Sequence, residues 1–183
     1  MPNLLEPEEA LRRIDAWIAW TYPDRLPFVR PGASSGTIQR IEAKFGRSLP
    51  CDMRRLYAAH DGQPAGSPAL YLNQRWLPLD LVIVAWEDLC FRYGKARDGR
   101  RHPGTVTWSA DWLPLFGSAR GDHYCIDLRP ELTDTYGQII WFLYDEPDRP
   151  VVARSIAELL SRVAFVISSG KWTLDDGYDG LSD

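Results

Sequence analysis

The chain has 183 residues, 45% of them hydrophobic and 25% charged, with a formal net charge of −4. That is the length of one domain with a modest extension, and 14 glycines and 14 prolines are too few for a collagen-like or linker-like chain. Aromatic and aliphatic residues, eight tryptophans among them, run from end to end and exclude general disorder, while the acidic balance argues against nucleic acid as a partner.

The N-terminus, Met-Pro-Asn-Leu-Leu-Glu, has neither a basic nor a long apolar region, so no secretory signal is expected. Pro7 to Ala19 is predicted to be a helix. Pro7 suits a first helical position, Glu8 and Glu9 favour the positive end of the helix dipole, and Leu11, Ile14, Trp17 and Ile18 form an apolar stripe. Pro23, Pro27, Pro31 and Gly32 then break the chain. A tight helical hairpin follows from Ser34 to Gly62. Ser34 caps its first helix and Gly46 stops it; Pro50 starts the second and Gly62 ends it.

After a Pro-, Gly- and Ser-rich loop, a short strand is expected at Ala69 to Leu72. Asp80 to about Tyr93 reads as a helix, although Leu81 to Val84 also suits a strand; the apolar run Leu81 to Trp86 is far too short to span a bilayer. Gly94 to Gly104 is a polar loop. Trp112 to Gly117, His123 to Leu128 and Gln138 to Tyr144 are predicted strands. Ser155 caps a last helix carrying Ile156, Leu159, Leu160, Val163 and Ile167, and an acidic tail, 171–183, completes the chain. No repeat of 20 to 50 residues is present. Helices, then a meander, then a helix give an α+β fold with an antiparallel sheet and helices packed on one face. Cys51, Cys90 and Cys125 are odd in number and widely spaced, as expected of reduced thiols in a cytoplasmic protein.

The order of these signals resembles the SUKH superfamily, which takes its name from a fungal cell-wall-synthesis regulator and bacterial relatives. Ile38 to Gly46 looks like the family's first core helix and its glycine stop. Leu49-Pro50-Cys51-Asp52 looks like its Leu-Pro-x-Asp helix start, and His60-Asp61-Gly62-Gln63 like its Asn/Asp-Gly helix end. Trp112 to Gly117 resembles the strand opening its central hairpin, Gly121 to Leu128 its Gly-Asp-x-x-x-x-Asp-Leu strand, and Val152 to Ile156 the lead into its last helix. The resemblance divides the chain into a helical extension (1–29), a SUKH-like domain (30–170) and the acidic tail (171–183). It implies a non-enzymatic role: an immunity protein that binds a cognate toxin (a nuclease, deaminase or other intracellular effector), or, alternatively, a regulatory scaffold akin to the fungal cell-wall regulators.

Chemical motifs add little to this. No HExxH, CxxC or His-x-His spacing suggests a metal, and no GxxxxGK[ST] or GxGxxG suggests a phosphate cradle, so neither metal nor cofactor is expected. Cys125 and His123 share a strand face and could form a thiol–imidazole pair, but nothing marks an oxyanion hole or an activated thiolate. Asp122 and Asp127 differ by five positions, so they point to opposite faces of a regular strand; turn chemistry accounts for both. Arg120-Gly121-Asp122, spelling an adhesion tripeptide, is read as coincidence. Arg92, Lys95, Arg97, Arg100 and Arg101 form a basic loop read as a solvated one. The tryptophans carry more. Trp17, Trp86 and Trp141 lie in apolar runs and are expected in the core, whereas Trp76, Trp108 and Trp112 lie beside polar residues, as binding aromatics with a polar rim do and as amphipathic rings plugging the core edge do equally. The expected partner surface therefore comprises Trp76, Trp108, Trp112, Asp122 and His123, with Asp175 and Asp176 of the tail supplying charge that steers a basic toxin.

Overall fold

Pro7 opens the first helix, α1 (Pro7–Thr21), in this computed structural model, which describes residues 4–71, 74–94, 108–118, 120–129, 135–170 and 174. Ala10, Leu11, Ile14 and Ile18 bury the inner side of α1 against α5 (Ile156–Ser168), and the backbone N–H of Leu5 donates to the Ser161 hydroxyl at 2.8 Å. Each fully buried leucine or isoleucine in such a seam contributes about 1.5–3 kcal/mol. After a short 3₁₀ turn, Leu26–Phe28, the chain enters the helical hairpin α2 (Ser35–Phe45) and α3 (Cys51–Ala59). The Ser34 hydroxyl accepts the Thr37 N–H at 3.1 Å, a cap worth about 1 kcal/mol. Gly46 takes the left-handed conformation that ends α2, with φ 80°. Across the hairpin, Glu42 Oε1 accepts both the Leu49 N–H and the Arg54 Nε–H at 2.8 Å.

Helix α3 stops at Ala59, three residues before the glycine expected to end it, because His60 is already extended and bridges Pro31. His60, Asp61 and Gly62 then form a junction between elements. His60 Nε2 lies 2.6 Å from Asp15 Oδ2 on α1, and the Tyr71 hydroxyl donates to Asp15 Oδ1 at 3.0 Å. Asp61 is ion-paired with Arg30 at 3.0 Å. Gly62 has φ 65°, and a Cβ there would come within 2.6 Å of the Pro78 nitrogen, so only glycine fits where the two backbone segments cross.

The sheet is a fully antiparallel meander in the order β1-β2-β3-β4-β5: β1 (Arg75–Trp76), β2 (Trp112–Gly117), β3 (His123–Asp127), β4 (Ile139–Phe142) and β5 (Val151–Ala153). Of the strand expected at 69–72, Leu72 lies outside the described residues, and residues 69–71 carry only the bridge from Tyr71 to Gln74, with β1 following it; β5 has too few residues to stand out in the sequence. Helix α4 (Leu79–Tyr93) resolves the helix-or-strand ambiguity of Leu81 to Val84 in favour of helix.

Strand alternation sorts the side chains into two layers. Trp76, Leu113, Phe116, Tyr124, Ile126 and Ile139 face the main core with α1, α3, α5 and the first half of α4. Trp112, Cys125, Ile140 and Phe142 face the other way, and there Leu89, Cys90 and Tyr93 of α4, with Trp108, pack over them. The helices thus pack mainly on one face, as the sequence pattern anticipates, and the end of α4 with Trp108 covers the middle strands on the other.

Both rims of the sheet are occupied by the chain itself. On β1, Gln63 Oε1 accepts the Trp76 N–H at 3.1 Å and the Gln63 N–H donates to the Trp76 carbonyl at 2.8 Å. On β5, Arg162 of α5 donates to the Val152 carbonyl at 2.9 Å, and Glu158 accepts the Arg154 N–H at 2.8 Å.

Candidate interaction surface

The two-sided covering of the sheet decides where the nominated aromatics lie. Trp76 is 0% exposed, enclosed by the rings of Tyr71 at 5.2 Å, Tyr57 at 5.6 Å and Phe116 at 6.1 Å. Trp108 and Trp112 are each 5% exposed and stack edge to face at 5.5 Å in the second layer. The Trp108 indole N–H donates to Cys90 Sγ at 3.2 Å, and the Arg129 guanidinium lies 5.7 Å from the Trp112 ring. The exposed rim expected of these three residues is thus absent: polar sequence neighbours sit beside them, but α4 and the sheet enclose their rings. Trp17, Trp86 and Trp141, expected in the core, are partly buried at its margin.

Asp122 is buried, and its Oδ1 accepts the Tyr144 N–H at 3.1 Å, which fixes the β3 turn against the end of β4. His123 is part-buried; its Nδ1–H donates to the Gly121 carbonyl at 2.9 Å and its ring lies 6.5 Å from Phe142. Burial pushes its pKa down, so the imidazole is neutral near pH 7. Cys125 is fully buried and its thiol points toward the backbone carbonyl of His123, 3.9 Å away; burial holds its pKa well above the usual thiol range. The pair thus lacks a thiolate near neutral pH. Asp127, also fully buried, is held by Arg129 at 2.7 Å and by the Gln138 side-chain amide at 3.2 Å, where it ties β3 to the start of β4. Among the described residues no three His, Cys, Asp or Glu side chains cluster so as to hold a metal ion. Asp175, Asp176 and the basic positions Lys95, Arg97, Arg100 and Arg101 lie outside the described residues; Arg92 pairs with Asp88 at 2.8 Å.

Two other aromatics are the most exposed among the described residues, ahead of Phe165, Tyr136, Tyr144 and Phe28. Trp20 at the end of α1 is 89% exposed, with Leu26 and Phe28 of the following turn also open. Phe91 on α4 is 89% exposed, with Val84 two turns before it. Both were readable from helical spacing. Trp20 stands two residues beyond the buried Ile18 and Phe91 two beyond the buried Leu89, which places each about 200° round its helix from a core position. Around Val84 and Phe91 the open face of α4 carries Asp80, Glu87 and Asp88. This arrangement is suited to holding another macromolecule: apolar anchors on a rigid helix with charge at their margin.

The chain has relatives among known proteins. A cell-wall-biosynthesis and cell-cycle regulator, smi1 of Schizosaccharomyces pombe, is 28% identical over 94% of this chain and 38% of its own. A glucan synthesis regulatory protein of Neurospora crassa is 26% identical over 92% of this chain and 40% of its own. The cell wall assembly regulator SMI1 of Saccharomyces cerevisiae is 24% identical over 93% of this chain and 42% of its own. The chain therefore spans about two-fifths of the length of these relatives. No helix among the described residues is long and apolar enough to cross a membrane. The profile of the SMI1 / KNR4 family (SUKH-1) matches residues 32–162, from three residues before α2 to the middle of α5, and the chain belongs to that family.

Proposed function

We propose that this chain is a regulatory binding module in the control of cell-wall synthesis, which works by holding a protein partner. The observation that carries this reading is the likeness to fungal regulators named for cell-wall and glucan synthesis, extending over more than nine-tenths of the chain. The surface supports it in kind. Trp20 and Phe91, the most exposed aromatics among the described residues, stand on helix faces that point away from the core, and the Cys125–His123 neighbourhood is sealed with its thiol protonated. The neutralisation of a toxin, which the bacterial side of the superfamily suggested, draws nothing from these relatives, whose names concern wall assembly and the cell cycle.

The test is removal of the gene in its own host, paired with purification of the tagged chain from that host. The expected result is an altered content of wall polymer together with a stoichiometric complex containing a component of wall synthesis. Unchanged wall composition, or a complex with a toxic effector whose activity the chain blocks, overturns the reading.

A further inference from the structure

We infer that the open face of α4 is the docking site for a basic, amphipathic peptide segment of a partner protein. This inference rests on the regulatory-binding reading above and specifies the chemistry of the partner. Val84 and Phe91 are seven residues apart, two turns along the same side of the helix, and both project into solvent. An exposed phenyl ring gains free energy from any apolar surface that removes it from water. The carboxylates Asp80 and Glu87 flank these anchors on one side and Asp88 on the other, by helical spacing of about 100° per residue. Among the described residues Glu87 has no ion-pair partner, Asp88 is paired with Arg92 at 2.8 Å, and Asp80 lies 3.5 Å from Arg30.

The face therefore combines two apolar anchors with an excess of negative charge. Its complement is a segment with an apolar stripe and flanking lysines or arginines, which would bury Phe91 and meet Glu87 and Asp88 at the rim. An acidic segment would be repelled, and an uncharged one would leave the carboxylates desolvated without partners. Helix α4 is a sound platform for such contact, because its opposite side is fixed in the core by Leu79, Val82, Ile83 and Leu89.

The probe is an eighteen-residue helix-forming peptide with a leucine stripe between lysine flanks, compared with a scrambled peptide of the same composition. Binding to the full chain is followed by fluorescence anisotropy and by amide chemical shifts. The expected result is saturable binding that perturbs the α4 amides, weakens several-fold from 50 to 300 mM salt, and weakens about 10-fold or more in Phe91→Ala, about 1.4 kcal/mol. Val84→Ser weakens it in the same direction, and Glu87→Gln reduces its salt dependence. These side chains are exposed, so circular dichroism of the variants should match the parent.

Equal binding of the scrambled peptide, or undiminished binding by Phe91→Ala, overturns the inference. So does binding seen only after Lys95, Arg97, Arg100 and Arg101 are all changed to serine, which would make the chain's own basic loop the occupant. The two readings fail separately. If the host partner is captured equally by the parent and by Phe91→Ala, this surface is wrong and the regulatory reading stands; if the parent captures no wall-synthesis component, the regulatory reading itself fails.

Discussion

Asp61 Oδ1 accepts the backbone N–H of Leu79 at 2.9 Å, so the residue just past α3 caps the first turn of α4. The residue preceding α4, Pro78, offers no side-chain acceptor, and the cap comes instead from eighteen positions upstream. Arg30 compensates the carboxylate on its other oxygen at 3.0 Å. Burial raises the Asp61 pKa, against the opposing pull of the Leu79 N–H and the Arg30 charge. The aspartate of the His-Asp-Gly motif thus joins two successive helices across the segment 60–78.

Asp61→Ala removes the cap and leaves both the Leu79 N–H and the Arg30 guanidinium short of an acceptor. A loss of about 2–3 kcal/mol is expected from a lost cap and a stranded partner. Asp61→Asn retains an acceptor for Leu79 and should lose clearly less. Urea midpoints at constant slope measure the difference; equal losses for the two variants would assign the effect to the Arg30 pair and not to the cap.

His60 makes stability fall toward alkaline pH. Its hydrogen bond to the Asp15 carboxylate, opposed by part-burial, raises its folded pKa above the ordinary 6.5. The stabilisation is therefore complete below about 6.5, the unfolded value, and is lost as pH rises through the raised folded value. Denaturation from pH 5.5 to 8.5 should show a downward slope in the parent that flattens in His60→Gln. A slope unchanged by that substitution would remove His60 as its source.

The three thiols should react in order of their cover. Cys51 is exposed, Cys90 is partly covered with its pKa raised by burial, and Cys125 is sealed and raised further. A disulfide reagent at neutral pH should modify Cys51 first, Cys90 slowly and Cys125 only on unfolding. Mass spectrometry of the labelled peptides reads the order. Native-state labelling of Cys125 at the rate of Cys51 would reopen a catalytic role for the Cys125–His123 pair.

Signals that act within one turn of chain were legible in the sequence. Ser34 and Ser155 both cap their helices, with N–H to hydroxyl distances of 3.1 Å, and β2 spans the predicted Trp112 to Gly117. What was not legible depends on layers brought together from afar. Trp108 and Trp112 sit among polar neighbours yet are buried, because α4 crosses from one face of the sheet to the other and seals them. Conversely, Phe91 lies in an apolar run yet is open, because Leu89 and not Phe91 falls on the covered side of α4. Sequence neighbourhood thus misplaced the exposed aromatics, whereas helical phase would have located them.

The capped rims of the sheet limit how this protein can be recognised. With both backbone groups of Trp76 taken by Gln63, the Val152 carbonyl by Arg162 and the Arg154 N–H by Glu158, the outer strands offer no continuous ladder to a visiting chain among the described residues. Recruitment by strand addition is closed, and so is the edge-to-edge polymerisation that exposed strands invite. A molecule built this way must be read through its side chains, so its specificity can change by surface substitution while the meander beneath stays intact.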